Sequence, residues 1–153
     1  MIRAAVISDT HNVLRPDVIG ILKKCDSIIH AGDMSKPEIL EQLRQIAPVY
    51  AVRGNNDKDW AKDLPRELYF TLGDLKVYLI HNKKEVDIQQ GKPDIIIFGH
   101  SHKYLEEEID GVLWLNPGSC GRRRFDLPVT MAVLKITGEN YRIEKINFPV
   151  LGN

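Results

Sequence analysis

Six short apolar runs mark out the chain, and each stops at a polar motif rich in glycine, histidine or carboxylate. Ala4 to Ile7 leads into Asp9-Thr10-His11, and Ser27-Ile28-Ile29 into His30-Ala31-Gly32-Asp33. Val49 to Val52 leads into Arg53-Gly54-Asn55-Asn56-Asp57, and Val77 to Ile80 into His81-Asn82. Asp94 to Phe98 leads into Gly99-His100-Ser101-His102, and Val112 to Leu115 into Asn116-Pro117-Gly118-Ser119. Runs this short and this rich in β-branched residues predict buried strands. They are near-continuous rather than alternating, so both faces of their sheets should be covered. Between the first three, Pro16 to Lys24 and Lys36 to Ile46 carry apolar residues at helical spacing, with Pro37 suited to a first turn. The front half therefore reads β-α-β-α-β.

The back half changes character. Glu67–Thr71 and Leu75–Ile80 predict a hairpin across Gly73-Asp74. Lys103–Ile109 with Val112–Leu115, and Thr130–Ile136 with Tyr141–Ile146, predict two more, turning at Asp110-Gly111 and Gly138-Glu139-Asn140. The expected fold is one α/β domain over residues 1–153. Two packed β-sheets flanked by helices would cover all of these apolar faces.

Charge narrows the function. Lys plus Arg and Asp plus Glu each number 21, so the formal net charge is zero. The bulk basic charge that drives non-specific nucleic-acid binding is missing. Two cysteines without a C-x-x-C pair do not make a disulfide scaffold or a zinc ribbon. No apolar segment approaches the roughly 18 residues of a membrane span. A cytoplasmic protein without nucleic-acid or membrane partners is expected, and a homo-oligomer stays open.

In an open α/β sheet, ligands bind outside the carboxyl ends of the strands. Asp9, His11, Asp33, Asn55, His81, His100 and His102 should gather there. Each alone is an ordinary turn or surface residue, but together they supply more oxygen and imidazole donors than one ion can use. A two-metal site of the kind that clamps both oxygens of a phosphoryl displacement would use them all. Donors without thiolate suit manganese, nickel, zinc, iron or cobalt.

The ordered series D-x-H, G-D, G-N-x-D, H and G-H-x-H, running from Asp9 to about Ser119, resembles the calcineurin-like metallophosphoesterases. The short length and the Asn116-Pro117-Gly118-Ser119 tail are similar to small phosphodiesterases of the YfcE type. The resemblance implies a phosphodiesterase with two divalent ions, manganese or nickel foremost, acting on a small phosphodiester through a hydroxide held between them. It assigns Asp9, His11 and His102 to one ion, Asn55, His81 and His100 to the other, and Asp33 to the bridge. The spacing agrees if these segments are extended, because Asp9 and His11, like His100 and His102, would then face one side.

The sequence departs from the family at Asn56, where larger members carry a histidine that protonates the leaving group. Asn56 and Asp57 are weak catalytic candidates, Asp57 as the group that would orient position 56. Asn56 and Arg124, within Arg122-Arg123-Arg124, are candidate substrate contacts. His30 is read as structural, and no neighbour activates Cys120. The alternative function is a non-catalytic, protein-binding scaffold of the retromer-subunit type.

Overall fold

In β1 (Ile2–Ile7), alternate side chains go to different places although all four of its last residues are buried. Ala4 and Val6 enter one apolar cluster, Ala5 and Ile7 another. Such a strand is covered on both sides, so its sequence shows no polar alternation. β2 (Ser27–His30) and β3 (Val49–Ala51) follow β1 in parallel, joined through α1 (Pro16–Leu22) and α2 (Pro37–Ile46). A proline at the start of each helix fits the position where no backbone donor is needed.

The computed structural model describes residues 1–121 and 127–149. All three expected hairpins form. β4 (Glu67–Leu72) pairs with β5 (Leu75–Ile80), and β7 (Leu105–Ile109) with β8 (Val112–Asn116). β9 (Val129–Thr137) pairs with β10 (Asn140–Phe148). With β6 (Ile95–Ile97), the strands make two mixed five-stranded sheets, ordered β10-β9-β1-β2-β3 and β4-β5-β6-β8-β7.

The main core lies between the sheets, where Val6, Ile29, Val77, Leu79, Ile97 and Leu115 are buried. A second core joins α1 and α2 to the first sheet through Val18, Leu22, Leu43 and Ile28. The outer face of the second sheet has a smaller cluster, Tyr78, Ile80, Ile96 and Phe98, against which Val86 and Ile88 pack. There a 3-10 turn (Lys83–Glu85) and the segment behind it stand where the first sheet has helices. Edge strand β7 presents Glu106, Glu107 and Glu108, charges that discourage edge-to-edge pairing with another chain. The parallel strands β1, β2, β5 and β6 point their carboxyl ends toward one rim, where the chemistry collects.

Candidate metal centre

The loops leaving these strands are stitched together by backbone hydrogen bonds. The amides of Asp9, His11 and Asn12 donate to the carbonyls of Gly32, Asp33 and Met34, and Gly99 N–H donates to His81 O, at 2.7–3.0 Å. Across the sheets, the His100 amide donates to Asp9 Oδ2, so the two sheets share one rim. Asp9, His11, Asp33, His100 and His102 all have positive φ, from 45° to 77°. The extended geometry expected for Asp9–His11 and His100–His102 is therefore not what the chain adopts. Left-handed backbone costs a non-glycine residue of order 1–3 kcal/mol, and such strain gathers where a site needs it. Asp9, His11 and His102 converge through tight turns.

The glycines beside them serve close approach. A Cβ on Gly54 would collide with the carboxylate and amide of Asp33, and one on Gly99 with the side chains of Ser8 and Asp9.

Asp9 is fully buried. Its Oδ2 accepts from Ser8 Oγ at 2.6 Å and from the His100 amide at 3.1 Å. Its Oδ1 is buried without a hydrogen-bond partner. Three imidazole nitrogens face that oxygen: His102 Nε2 at 3.5 Å, His11 Nε2 at 3.7 Å and His81 Nε2 at 4.0 Å. His11 Nε2 and His102 Nε2 are 3.3 Å apart. A buried anionic oxygen is costly unless something positive meets it. This donor set fits a divalent cation, with Asp9, His11 and His102 in one group and Asp9, Asp33 and His81 in another.

Asp33 Oδ2 is 3.3 Å from His81 Nε2 and 3.9 Å from His11 Nε2. Burial alone would raise the Asp33 carboxyl, but the hydrogen bond and charge of His81, the Asn56 amide and His11 hold it well below the usual range. Burial would likewise lower His81, yet Asp33 and Asp9 keep it raised. His81 Nδ1 donates to Ala31 O at 2.7 Å, which aims Nε2 into the site. Asn55 Oδ1 lies 3.0 Å from that Nε2. His100 stands edge-on to His81, with ring centroids 5.2 Å apart, and is exposed on the rim.

Asn56 turns inward. Its backbone and side-chain amides donate to Asp33 at 2.8 and 3.3 Å. Asp57 does not orient it, because its carboxylate accepts from four backbone amides instead, those of Asp33, Met34, Ser35 and Gly54, at 2.8–2.9 Å. It is a clamp beneath the metal loops. Arg122, Arg123 and Arg124 lie outside the described residues.

The Asn116-Pro117-Gly118-Ser119 motif, which the sequence offered only as part of a resemblance, supplies further supports. Asn116 donates to Gly99 O and Ser101 Oγ and accepts from Gly118, bracing the Gly99–His102 loop. Ser119 Oγ donates to Asp9 O. Cys120 is buried, and that burial pushes its thiol up to about 12, so it stays protonated.

His30, fully buried, accepts the Gly32 amide at Nδ1 and therefore carries its proton on Nε2, donated to Thr10 Oγ1. Burial lowers its pKa to about 4. The unfolded chain takes this proton near pH 6.5, the folded chain only near 4. Stability is therefore lost as pH falls through that window, by up to about 3 kcal/mol. We expect metal-free wild type to lose stability relative to His30→Gln between pH 6.5 and 4. Urea titrations across that range measure the difference, and a pH-independent difference would refute the assignment.

Comparison with known proteins agrees with this chemistry. The calcineurin-like phosphoesterase superfamily domain matches residues 2–139. A probable metallophosphoesterase of Methanothermobacter thermautotrophicus is 35% identical, the match covering 92% of this chain and 90% of that protein. The solved structure of an archaeal phosphodiesterase has a TM-score of 0.77 at 27% identity, covering 95% of this chain and all (100%) of that one. Zinc-complexed Vps29 from Entamoeba histolytica has a TM-score of 0.75 at 22% identity, covering 97% and 100%, a likeness of fold.

Proposed function

We propose that this chain, which belongs to the calcineurin-like phosphoesterase superfamily, is a phosphodiesterase dependent on two divalent ions. The observation that carries the reading is Asp9 Oδ1, buried, without a hydrogen bond and ringed by three imidazole nitrogens. Asp9, His11 and His102 would hold one ion, and Asn55, His81 and His100 the other. Asp33, whose Oδ2 lies between His11 and His81, would serve both. Imidazole and carboxylate donors without thiolate suit manganese, nickel, zinc, iron or cobalt, and resemblance to the family puts manganese and nickel foremost. Bound ions would supply an activated water and neutralise charge on the phosphoryl oxygens. That a fold neighbour is complexed with zinc supports a metal-dependent reading, and the archaeal phosphodiesterase supports a diester substrate.

The chain's own residues set the limits of the reaction. Hydrolysis joins a water oxygen to phosphorus and releases an alcohol, and the departing oxygen needs a proton unless it is stable as an anion. The histidines at the rim are engaged as ligands in this scheme. Asn55, Asn56 and Asn82 can donate a hydrogen bond but not a proton. Asp57 is buried beneath the loops. The protein should therefore favour diesters with good leaving groups.

Chelation is expected to abolish hydrolysis of a chromogenic diester, and manganese or nickel to restore it. Alkyl leaving groups should react slower than p-nitrophenolate by about 10²–10⁴-fold beyond their intrinsic difference, the usual worth of general acid help. A leaving-group series with the metal-loaded protein measures this, and a flat dependence would mean that a proton donor is present. The second reading is a non-catalytic, protein-binding scaffold, favoured by the fold likeness to Vps29 chains. Full metal occupancy with no turnover of any diester would select it.

A further inference from the structure

Beside the metal centre runs a cleft of about 190 Å³ that the reaction scheme leaves unused. It is lined on one hand by Asn55, His81 and His100 of the proposed centre and on the other by Arg53, Arg66 and Glu85. We propose that this cleft is a specificity subsite for an anionic group, a carboxylate or a phosphate, carried on a short ester arm of the substrate. Arg53 is its principal contact. The proposal rests on the phosphodiesterase reading and names the substrate class for that site.

Arg53 is half-buried and held in place. Its backbone N–H donates to Pro65 O at 3.0 Å, and Nη1 donates to Leu64 O at 2.8 Å. Among the described residues, no carboxylate pairs with its guanidinium. A guanidinium has five N–H donors in a rigid fork. The single bond to Leu64 leaves the others for a ligand, and the anchoring means little freedom is lost on binding.

Arg66 is different. Nη1 is 2.7 Å from Glu85 Oε1, and the two side chains are 51% and 48% exposed. An exposed pair of this kind contributes little and is easily exchanged. It closes the far wall of the cleft, and Arg66 can add a second contact once an anion arrives. Two guanidiniums against one carboxylate leave the wall net positive in a chain whose formal net charge is zero.

Volume limits what the arm can be. At about 190 Å³ the cleft is small. That suits a short arm ending in a carboxylate or phosphate. Pockets that enclose drug-sized ligands run to about 300–1,000 Å³, so a nucleoside would not be enclosed.

The test uses p-nitrophenyl phosphodiesters whose second ester is a two-carbon arm ending in methyl, trimethylammonium, carboxylate or phosphate. Metal-loaded wild type should show kcat/KM at least about tenfold higher for the anionic arms than for the methyl arm, with the cationic arm poorest. Carboxylate against phosphate identifies which anion the site takes. In Arg53→Gln the ratio of anionic to methyl arm should fall to near one, and Arg53→Lys, which keeps charge but not the fork, should be intermediate. A wild-type ratio near one overturns the proposal. So does an equal loss on every arm in Arg53→Gln, which would put Arg53 on the scissile phosphoryl group.

Calorimetry with the matching non-hydrolysable phosphonates reads the same preference without turnover or a variant. Tighter binding of anionic arms with no hydrolysis would keep the subsite and sink the phosphodiesterase reading. Hydrolysis with no preference in binding would do the reverse.

Discussion

Asp33→Ala should lower diester turnover by at least about a thousandfold and cost the protein both metal ions. Asp33 Oδ2 faces His81 Nε2 and His11 Nε2, at 3.3 and 3.9 Å, so its charge is shared by the two halves of the proposed centre. A carboxylate between two cations screens both, and metal catalysis rests on several kcal/mol of charge stabilisation. About 4 kcal/mol corresponds to a thousandfold in rate. His81→Ala should weaken chiefly one ion, because the proposed scheme uses His81 for one ion only. Asp33→Asn separates charge from shape, since the amide keeps the volume and can still accept from Asn56 N–H. Metal counted per chain by mass spectrometry, with kcat/KM at saturating manganese, checks the prediction. If Asp33→Ala keeps two ions and more than a tenth of the activity, Asp33 is not the bridge.

The second large effect concerns stability. Asp57→Ala leaves four backbone amides, those of Asp33, Met34, Ser35 and Gly54, without their acceptor. Hydrogen bonds to a charged group are worth about 1.5–3 kcal/mol each, and a buried donor left unsatisfied costs more than an absent pair. These four act as a unit and will not add fully, so a loss of at least about 3 kcal/mol is expected. For a chain of this size that is a fall in Tm of about 6–12 °C. Asp57→Asn, with one acceptor oxygen in place of two, should fall between. Metal-free protein gives the clean reading, because bound ions would stabilise the native state by mass action. A shift under 2 °C, which is about 0.5–1 kcal/mol, would show that the loops do not depend on this clamp.

Much of the fold was legible because the strands are covered on both faces. β1, β2, β5 and β6 appear in the sequence as short apolar runs, Ala4 to Ile7, Ile28-Ile29, Val77 to Ile80 and Ile95 to Ile97, whose carboxyl ends are marked by abrupt polar residues or glycine. The hairpins were legible from Gly73-Asp74, Asp110-Gly111 and the Gly138 turn, where left-handed backbone is needed and glycine supplies it. The donors were legible for a related reason. Strand order in an α/β sheet brings successive carboxyl ends to one rim, so residues at those ends converge however far apart they lie in sequence.

Spacing misled where local backbone departed from the strand period. His11 and His102 approach to 3.3 Å through left-handed turns, not along extended segments. Asp57 looked like a partner for its neighbour Asn56. Parallel pairing of β2 with β3 instead sets it beside Asp33, Met34 and Ser35, 22–24 residues away, where unpaired amides outcompete one adjacent side chain. Arg53 carried no signal, since its importance depends on a neighbouring cleft and on the lack of a carboxylate partner among the described residues.

The sequence by itself therefore determined which residues are strand, which are turn and which side chains are offered at the strand ends, because periodicity and residue chemistry are local. Only the tertiary structure decided which oxygen of Asp9 is left without a hydrogen bond, how His11 and His102 come within 3.3 Å of each other and which arginine lines a cleft. Those depend on distances between atoms far apart along the chain, which come into being only when the two sheets close on each other.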